Sequence, residues 1–80
     1  MQVDLIDLDN EELLHQVRGK EAELLLAHVT SVNKIRLRVN KDVSFLGAIA
    51  EIIYDLDYIR GTPAQRIEVR LANVQIKRLS

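Results

Sequence analysis

The sequence predicts an α+β fold in which helices cover one face of an antiparallel sheet, and three observations lead to this prediction. Apolar residues recur at three- and four-residue spacing over residues 43–60, which is typical of a long helix. Apolar and charged residues alternate over residues 34–39 and 66–71, as in strands with one solvated face. A length of 80 residues with 48% apolar content suits one core, so residues 1–80 are assigned to a single domain.

The helix over residues 43–60 has recognisable ends and an unused side. Asp42 can act as its N-cap, and Gly61 can end it. Ala48, Tyr54 and Tyr58 lie on the side that is not needed to cover the sheet. Tyrosine is enriched in protein contacts, so these three residues form the candidate interface and the chain is expected to self-associate.

A shorter helix is predicted over residues 11–18, because the acidic residues at its start suit the helix dipole. Helix propensity alone would continue it to about Val29, and this alternative, with three or four strands, stays open. A strand over residues 22–29 is favoured by an apparent internal repeat: seven residues between positions 14 and 37 recur 42 positions later. Residues 22–29 then correspond to the alternating stretch that begins near residue 64.

The order of elements leads to a named architecture. Residues 2–8 are the predicted first strand, and a turn at residues 72–73 makes the C-terminal tail a short extra strand. The alternative for the tail is one long bulged strand with Asn73 at the irregularity. The order is then βαββαβ plus a short C-terminal strand, which is the ferredoxin-like, split βαβ, two-layer sandwich with helices on one face of an antiparallel sheet.

Several kinds of chemistry lack the residues they need. The chain contains no cysteine, which excludes a disulfide framework and a thiol nucleophile. Residues 7–11 place carboxylates at the first three positions of a calcium loop, but Glu12 stands where that loop requires glycine. His15 and His28 have no third ligand at a diagnostic spacing. We therefore expect no catalytic residue, no metal site, no cofactor and no enzymatic activity.

Charge is distributed unevenly, although the net charge is only −1. Residues 1–23 contain seven acids and two bases, a sum of −5, whereas residues 24–80 contain nine bases and five acids, a sum of +4. Alternation along the strands puts many of these bases on the uncovered side of the sheet. The predicted polyanion-binding residues are Lys34, Arg36, Arg38, Arg66 and Arg70. A basic sheet face of this kind is typical of domains that bind RNA or another polyanion.

Two functions are therefore expected from different classes. The first is a small non-enzymatic protein-interaction or regulatory module that forms a homodimer or binds another protein. The alternative is a domain that binds RNA or DNA through the basic face, although that face has no aromatic residue on which a base could stack. No stretch is long and apolar enough to span a bilayer, and the acidic start is unlike a secretory signal. A cytoplasmic location without a membrane partner is expected.

Overall fold

The structure is a computed structural model and describes residues 1–57 and 64–78. Over these residues the chain forms five strands and one helix: β1 (Gln2–Asp7), β2 (Glu12–Arg18), α1 (Gly19–Val29), β3 (Lys34–Arg38), β4 (Val43–Asp57) and β5 (Ala64–Arg78). The strands form one sheet in the order β2-β1-β5-β4-β3. Neighbouring strands are antiparallel except β1 and β5, which are parallel.

This architecture shows that the predicted ferredoxin-like α+β sandwich is wrong. The described residues form a mixed sheet with one short helix, whereas the prediction has two helices and a purely antiparallel sheet. Three local errors account for the difference. Residues 43–57 and residues 12–18 form strands where helices were predicted, and residues 22–29 belong to a helix where a strand was predicted. In the part of the chain that the structure describes, no helix could cross a membrane.

Residues 43–57 form the strand β4 instead of a helix, and an irregularity explains the misleading pattern. The register of β4 against β5 shifts twice, the second time between Ile49 and Glu51. Core-facing residues of a regular strand are two apart, but this shift puts Ile49 and Ile52 three apart and opposite buried residues of β5. A spacing of three imitates a helix. Residues 58–60 of the predicted helix lie outside the described residues.

Strand and helix are exchanged between residues 11 and 29. Residues 12–18 form β2, which pairs with β1, and residues 19–29 form α1. Gly19 lies at the junction with a φ of 64°, and its N–H donates to the Met1 carbonyl at 3.1 Å. After this turn the chain follows its helix propensity. The alternative that continues a helix to about Val29 therefore has the right end, but the helix begins at Gly19 and not at residue 11. The internal repeat aligns helix 22–29 with strand 64–71 and has no structural counterpart.

The alternating stretches are predicted correctly. The structure confirms strands at the start of the chain, over residues 34–38 and over residues 66–71. The predicted turn at residues 72–73 is wrong, and the alternative of one long bulged strand is right, because β5 continues to Arg78. Asn73 is the irregularity, with a φ of 54°, a conformation that asparagine adopts more readily than most residues.

The sheet has two different faces. The helix face packs against α1 and carries the buried core, which consists of Val3, Leu5, Ala22, Val29, Ile67, Val69 and Leu71. The alternate residues of the same strands point to the other side, which we call the open face. The register places Lys34, Arg36 and Arg38 of β3 on the open face, whereas their neighbours Ile35 and Leu37 pack towards the core.

Candidate polyanion-binding site

The turn between β3 and β4 is held by hydrogen bonds to one side chain. Asn40 Oδ1 accepts the backbone N–H of Asp42 at 2.8 Å and that of Val43 at 2.9 Å. The Val39 N–H also donates to the Val43 carbonyl at 3.1 Å. Asparagine favours such turns because its side chain bonds to the backbone a few residues onwards. Lys41 is therefore held inside a short, well-defined turn.

A concavity of about 250 Å³ lies where this turn meets the open face. Four cations line it, Arg36, Arg38, Lys41 and Lys77, and we call them the basic cluster. Ser44 lies between Arg38 of β3 and Lys77 of β5, because it is the register partner of both. Three adjacent strands and one turn thus bring these side chains together. Asn40 and Val43 complete the lining.

Among the described residues, no neighbouring acid neutralises the basic cluster. All four side chains are exposed, and within residues 1–57 and 64–78 no carboxylate forms an ion pair with any of them. Asp42 lies in the same turn but does not form one either. Like charges held close together create a local positive potential. The concavity is therefore suited to an anion with several negative charges.

The centre of the open face is electrically different, because it holds a nearly buried carboxylate. Asp4 is 6% exposed, and its Oδ1 accepts hydrogen bonds from Gln2 Nε2 at 3.1 Å and Gln16 Nε2 at 2.9 Å. Its Oδ2 lies 3.8 Å from Arg66 Nε. A buried charge is costly without partners of this kind, so Arg66 stabilises the Asp4 carboxylate.

Two arginines of β5 are surrounded by acids. Arg66 Nη2 lies 3.4 Å from Asp55 Oδ2 and 3.2 Å from Glu68 Oε1. Arg70 Nη2 lies 3.2 Å from Glu68 Oε2, and its Nη1 lies 3.7 Å from Glu11 Oε1. With Asp4, four carboxylates contact two guanidinium groups, and we call these six residues the ion-pair network. This part of the open face therefore does not favour the binding of a further anion.

The structure divides the predicted polyanion-binding residues into three places. Arg36 and Arg38 belong to the basic cluster, whereas Arg66 and Arg70 belong to the ion-pair network. Lys34 lines a smaller neighbouring concavity of about 150 Å³ with Leu46, Gly47, Ala48, Asn73 and Gln75. Arg70 and Lys77 are seven residues apart on β5, about 23 Å at 3.3 Å per residue. Salt screens charges over about 8 Å, so the two ends act separately.

Lys41 and Lys77 complete the basic cluster but are absent from the predicted set. The signal for Lys41 is the stretch from Asn40 to Asp42, since two turn-forming residues between two β-rich segments are typical of a hairpin. Assigning Asp42 as a helix cap hides that signal. Alternation already puts Lys77 on an outward face of the predicted tail strand. Its position beside Ser44 follows only once β5 is treated as a single strand that pairs with β4.

Two of the three candidate interface residues, Ala48 and Tyr54, are not brought together. Ala48 lies on the open face opposite Lys34. Tyr54 lies on the helix face opposite Ile67 and is 54% exposed. Tyr58 lies outside the described residues. Because residues 43–57 form a strand, Ala48 and Tyr54 occupy opposite faces of the sheet instead of one side of a helix.

The two histidines and the acidic residues were the candidate metal ligands of the sequence. Residues 1–57 and 64–78 contain no group of three potential metal ligands. His28 Nδ1 lies 2.7 Å from the Leu24 carbonyl oxygen within α1, and His15 lies on β2 opposite Leu5. The two histidines thus belong to different elements.

No protein-family model, curated protein or solved structure matches this chain. Its function is therefore inferred from the geometry of its own residues.

Proposed function

We propose that this chain is a small non-enzymatic binding module whose basic cluster binds the phosphate backbone of a nucleic acid. The observation that carries this proposal is the convergence on one concavity of four cations that form no ion pair with any described residue. Lysine and arginine that neutralise phosphates release condensed counterions, which supplies most of the affinity in sequence-independent binding. A nucleic acid is the abundant cellular polyanion that presents phosphates in a regular row.

The spacing of the cations supports contact with a backbone. Arg36 and Arg38 are two residues apart on β3, about 6.6 Å at 3.3 Å per residue, which resembles the distance between successive phosphates of one nucleic-acid strand. Arginine can bind a phosphate with two parallel hydrogen bonds, and Lys41 and Lys77 add point charges at the sides. This geometry favours one backbone that follows the edge of the sheet.

The open face favours recognition of the backbone over recognition of bases. Phe45 and Tyr54 pair with Ile76 and Ile67, respectively, and therefore belong to the helix face. Base stacking on aromatic side chains is a main source of affinity for single strands, and the described part of the open face has no such side chain. We therefore propose little sequence preference, because phosphate contacts carry no sequence information.

The ion-pair network confines binding to one end of the open face. Its four carboxylates outnumber its two guanidinium groups, so a polyanion is repelled there and attracted to the basic cluster. We further propose a cytoplasmic location, where nucleic acids are available and a chain without cysteine needs no oxidising environment.

The test is the affinity for a fluorescently labelled mixed-sequence DNA duplex, measured by anisotropy. The variant Arg36→Gln/Arg38→Gln removes two cations of the basic cluster. At 0.1 M salt, each lost phosphate contact lowers the affinity about 8-fold, because affinity varies as salt to the power −0.9 per contact. A roughly 60-fold loss is expected for the pair.

The matched control is Arg18→Gln/Lys20→Gln. Both residues are exposed and lie at the junction of β2 and α1, so this variant loses the same charge away from the basic cluster. It should bind almost as tightly as the unmodified chain. Equal losses in the two variants, with circular dichroism showing both folded, would contradict the proposed site, and no binding by the unmodified chain at low salt would end the proposal.

A further inference from the structure

β5 extends beyond the strand that covers its first half. β1 pairs with residues 66–71 of β5, and the Leu8 N–H donates to the Leu71 carbonyl at 2.9 Å. From Asn73 to Arg78, β5 pairs with β4 on one side, and no described segment pairs with it on the other. An unpaired strand edge offers backbone donors and acceptors to another strand.

We propose that a second copy of this chain pairs antiparallel with this edge, in a register centred on Gln75. Such pairing is two-fold symmetric, so the same edge serves both copies. Directly opposed residues share a face. This register sets Val74 of each copy opposite Ile76 of the other copy, so two such apolar pairs form. On the open face, Lys77 lies opposite Asn73 of the second copy, so no two cations are directly opposed.

The helix face supports this choice of partner. Leu37, Phe45 and Ile76 are register partners on β3, β4 and β5, and they form an apolar row that ends at the free edge. Ile76 is 50% exposed, because the row stops there. A second copy would extend this row with its own Val74, which lies opposite Ile76 in the proposed register and packs against the core of its own chain, and this contact removes apolar surface from water. The edge is thus self-complementary in its apolar pattern.

The pairing also enlarges the proposed binding site, and to that extent it rests on the proposed function. Six adjacent strands, three from each copy, would carry two basic clusters of four cations each across about 24 Å, five strand spacings of 4.8 Å. The two clusters repel each other, and a bound polyanion relieves that repulsion. Nucleic acid therefore promotes pairing, and pairing strengthens nucleic-acid binding by the same factor.

The test uses the absence of cysteine from the chain. In the proposed dimer the two copies of residue 75 are directly opposed, with Cα atoms about 4.5–5.5 Å apart, which is within disulfide range. Gln75→Cys should therefore form a disulfide-linked dimer several-fold faster than Ala27→Cys, whose residue is exposed on α1. Substoichiometric DNA duplex should increase the rate for Gln75→Cys. Equal rates for the two variants, with and without duplex, would overturn the pairing.

Two further measurements separate this inference from the proposed function. Adding Arg36→Gln/Arg38→Gln to Gln75→Cys should preserve cross-linking without DNA and abolish its stimulation by DNA. Light scattering of the unmodified chain over a dilution series should show more dimer at high salt, because salt screens the repulsion between clusters. A chain that binds duplex but stays monomeric at every salt concentration overturns the pairing alone. Cross-linking at Gln75→Cys by a chain that binds no duplex supports the pairing and overturns the proposed function.

Discussion

The number of cations that contact phosphate can be obtained from the salt dependence of duplex affinity. This measurement therefore tests which arginines and lysines form the site. The logarithm of the affinity falls with the logarithm of salt concentration by about 0.9 for each neutralised phosphate of a duplex. The basic cluster contains four cations. For each bound chain the expected slope is therefore about −3.6, which is four times −0.9.

Single substitutions then distinguish the basic cluster from the ion-pair network. Lys77→Gln should reduce the slope to about −2.7 and weaken binding about 8-fold at 0.1 M salt, and Lys41→Gln should do the same. Arg70→Gln should leave the slope unchanged, because the Arg70 guanidinium is already held by Glu68 and Glu11. All three variants lose one positive charge, so a difference between them reflects position alone.

The assay is fluorescence anisotropy with one duplex at several salt concentrations between about 50 and 200 mM, a range over which the slope is readily measured. Circular dichroism establishes that each variant is folded. The basic cluster is not the phosphate-binding site if Arg70→Gln lowers the slope as much as Lys77→Gln does. The same conclusion follows if neither lysine variant changes the slope while the unmodified chain still binds.

Two predictions concern the sheet that holds the site in place. Leu71 is 1% exposed, so Leu71→Ala should cost about 2–5 kcal/mol in the free energy of unfolding; Leu24→Ala, at a residue 63% exposed, should cost less than about 0.5 kcal/mol. Urea denaturation measures both, and equal costs would contradict the described core. Asp4→Ala should cost about 1.5–3 kcal/mol because it removes the charged acceptor of two hydrogen bonds. Asp4→Asn, which keeps an acceptor oxygen, should cost less in the same assay, and the reverse order would contradict the described contacts.

The sequence by itself determined the regular strands and the faces of their side chains. Alternation is a local property with a period of two, so β1, β3 and the centre of β5 were predictable, as was the placement of Arg36 and Arg38 opposite the core side. The position of β4 was not predictable in this way. Its bulge between Ile49 and Glu51 is defined by the register with β5, and without that register the spacing of its apolar residues is typical of a helix.

Only the tertiary structure decided which cations are neutralised. Arg66 and Arg36 look alike in an alternating stretch, but parallel pairing of β1 with β5 places Arg66 beside Asp4. Arg36 instead lies on the edge strand β3, and the residues of β4 that pair with this strand include no acid. The physical reason is that electrostatic partners depend on distance in space, and residues from opposite ends of this chain become neighbours only when the sheet is complete.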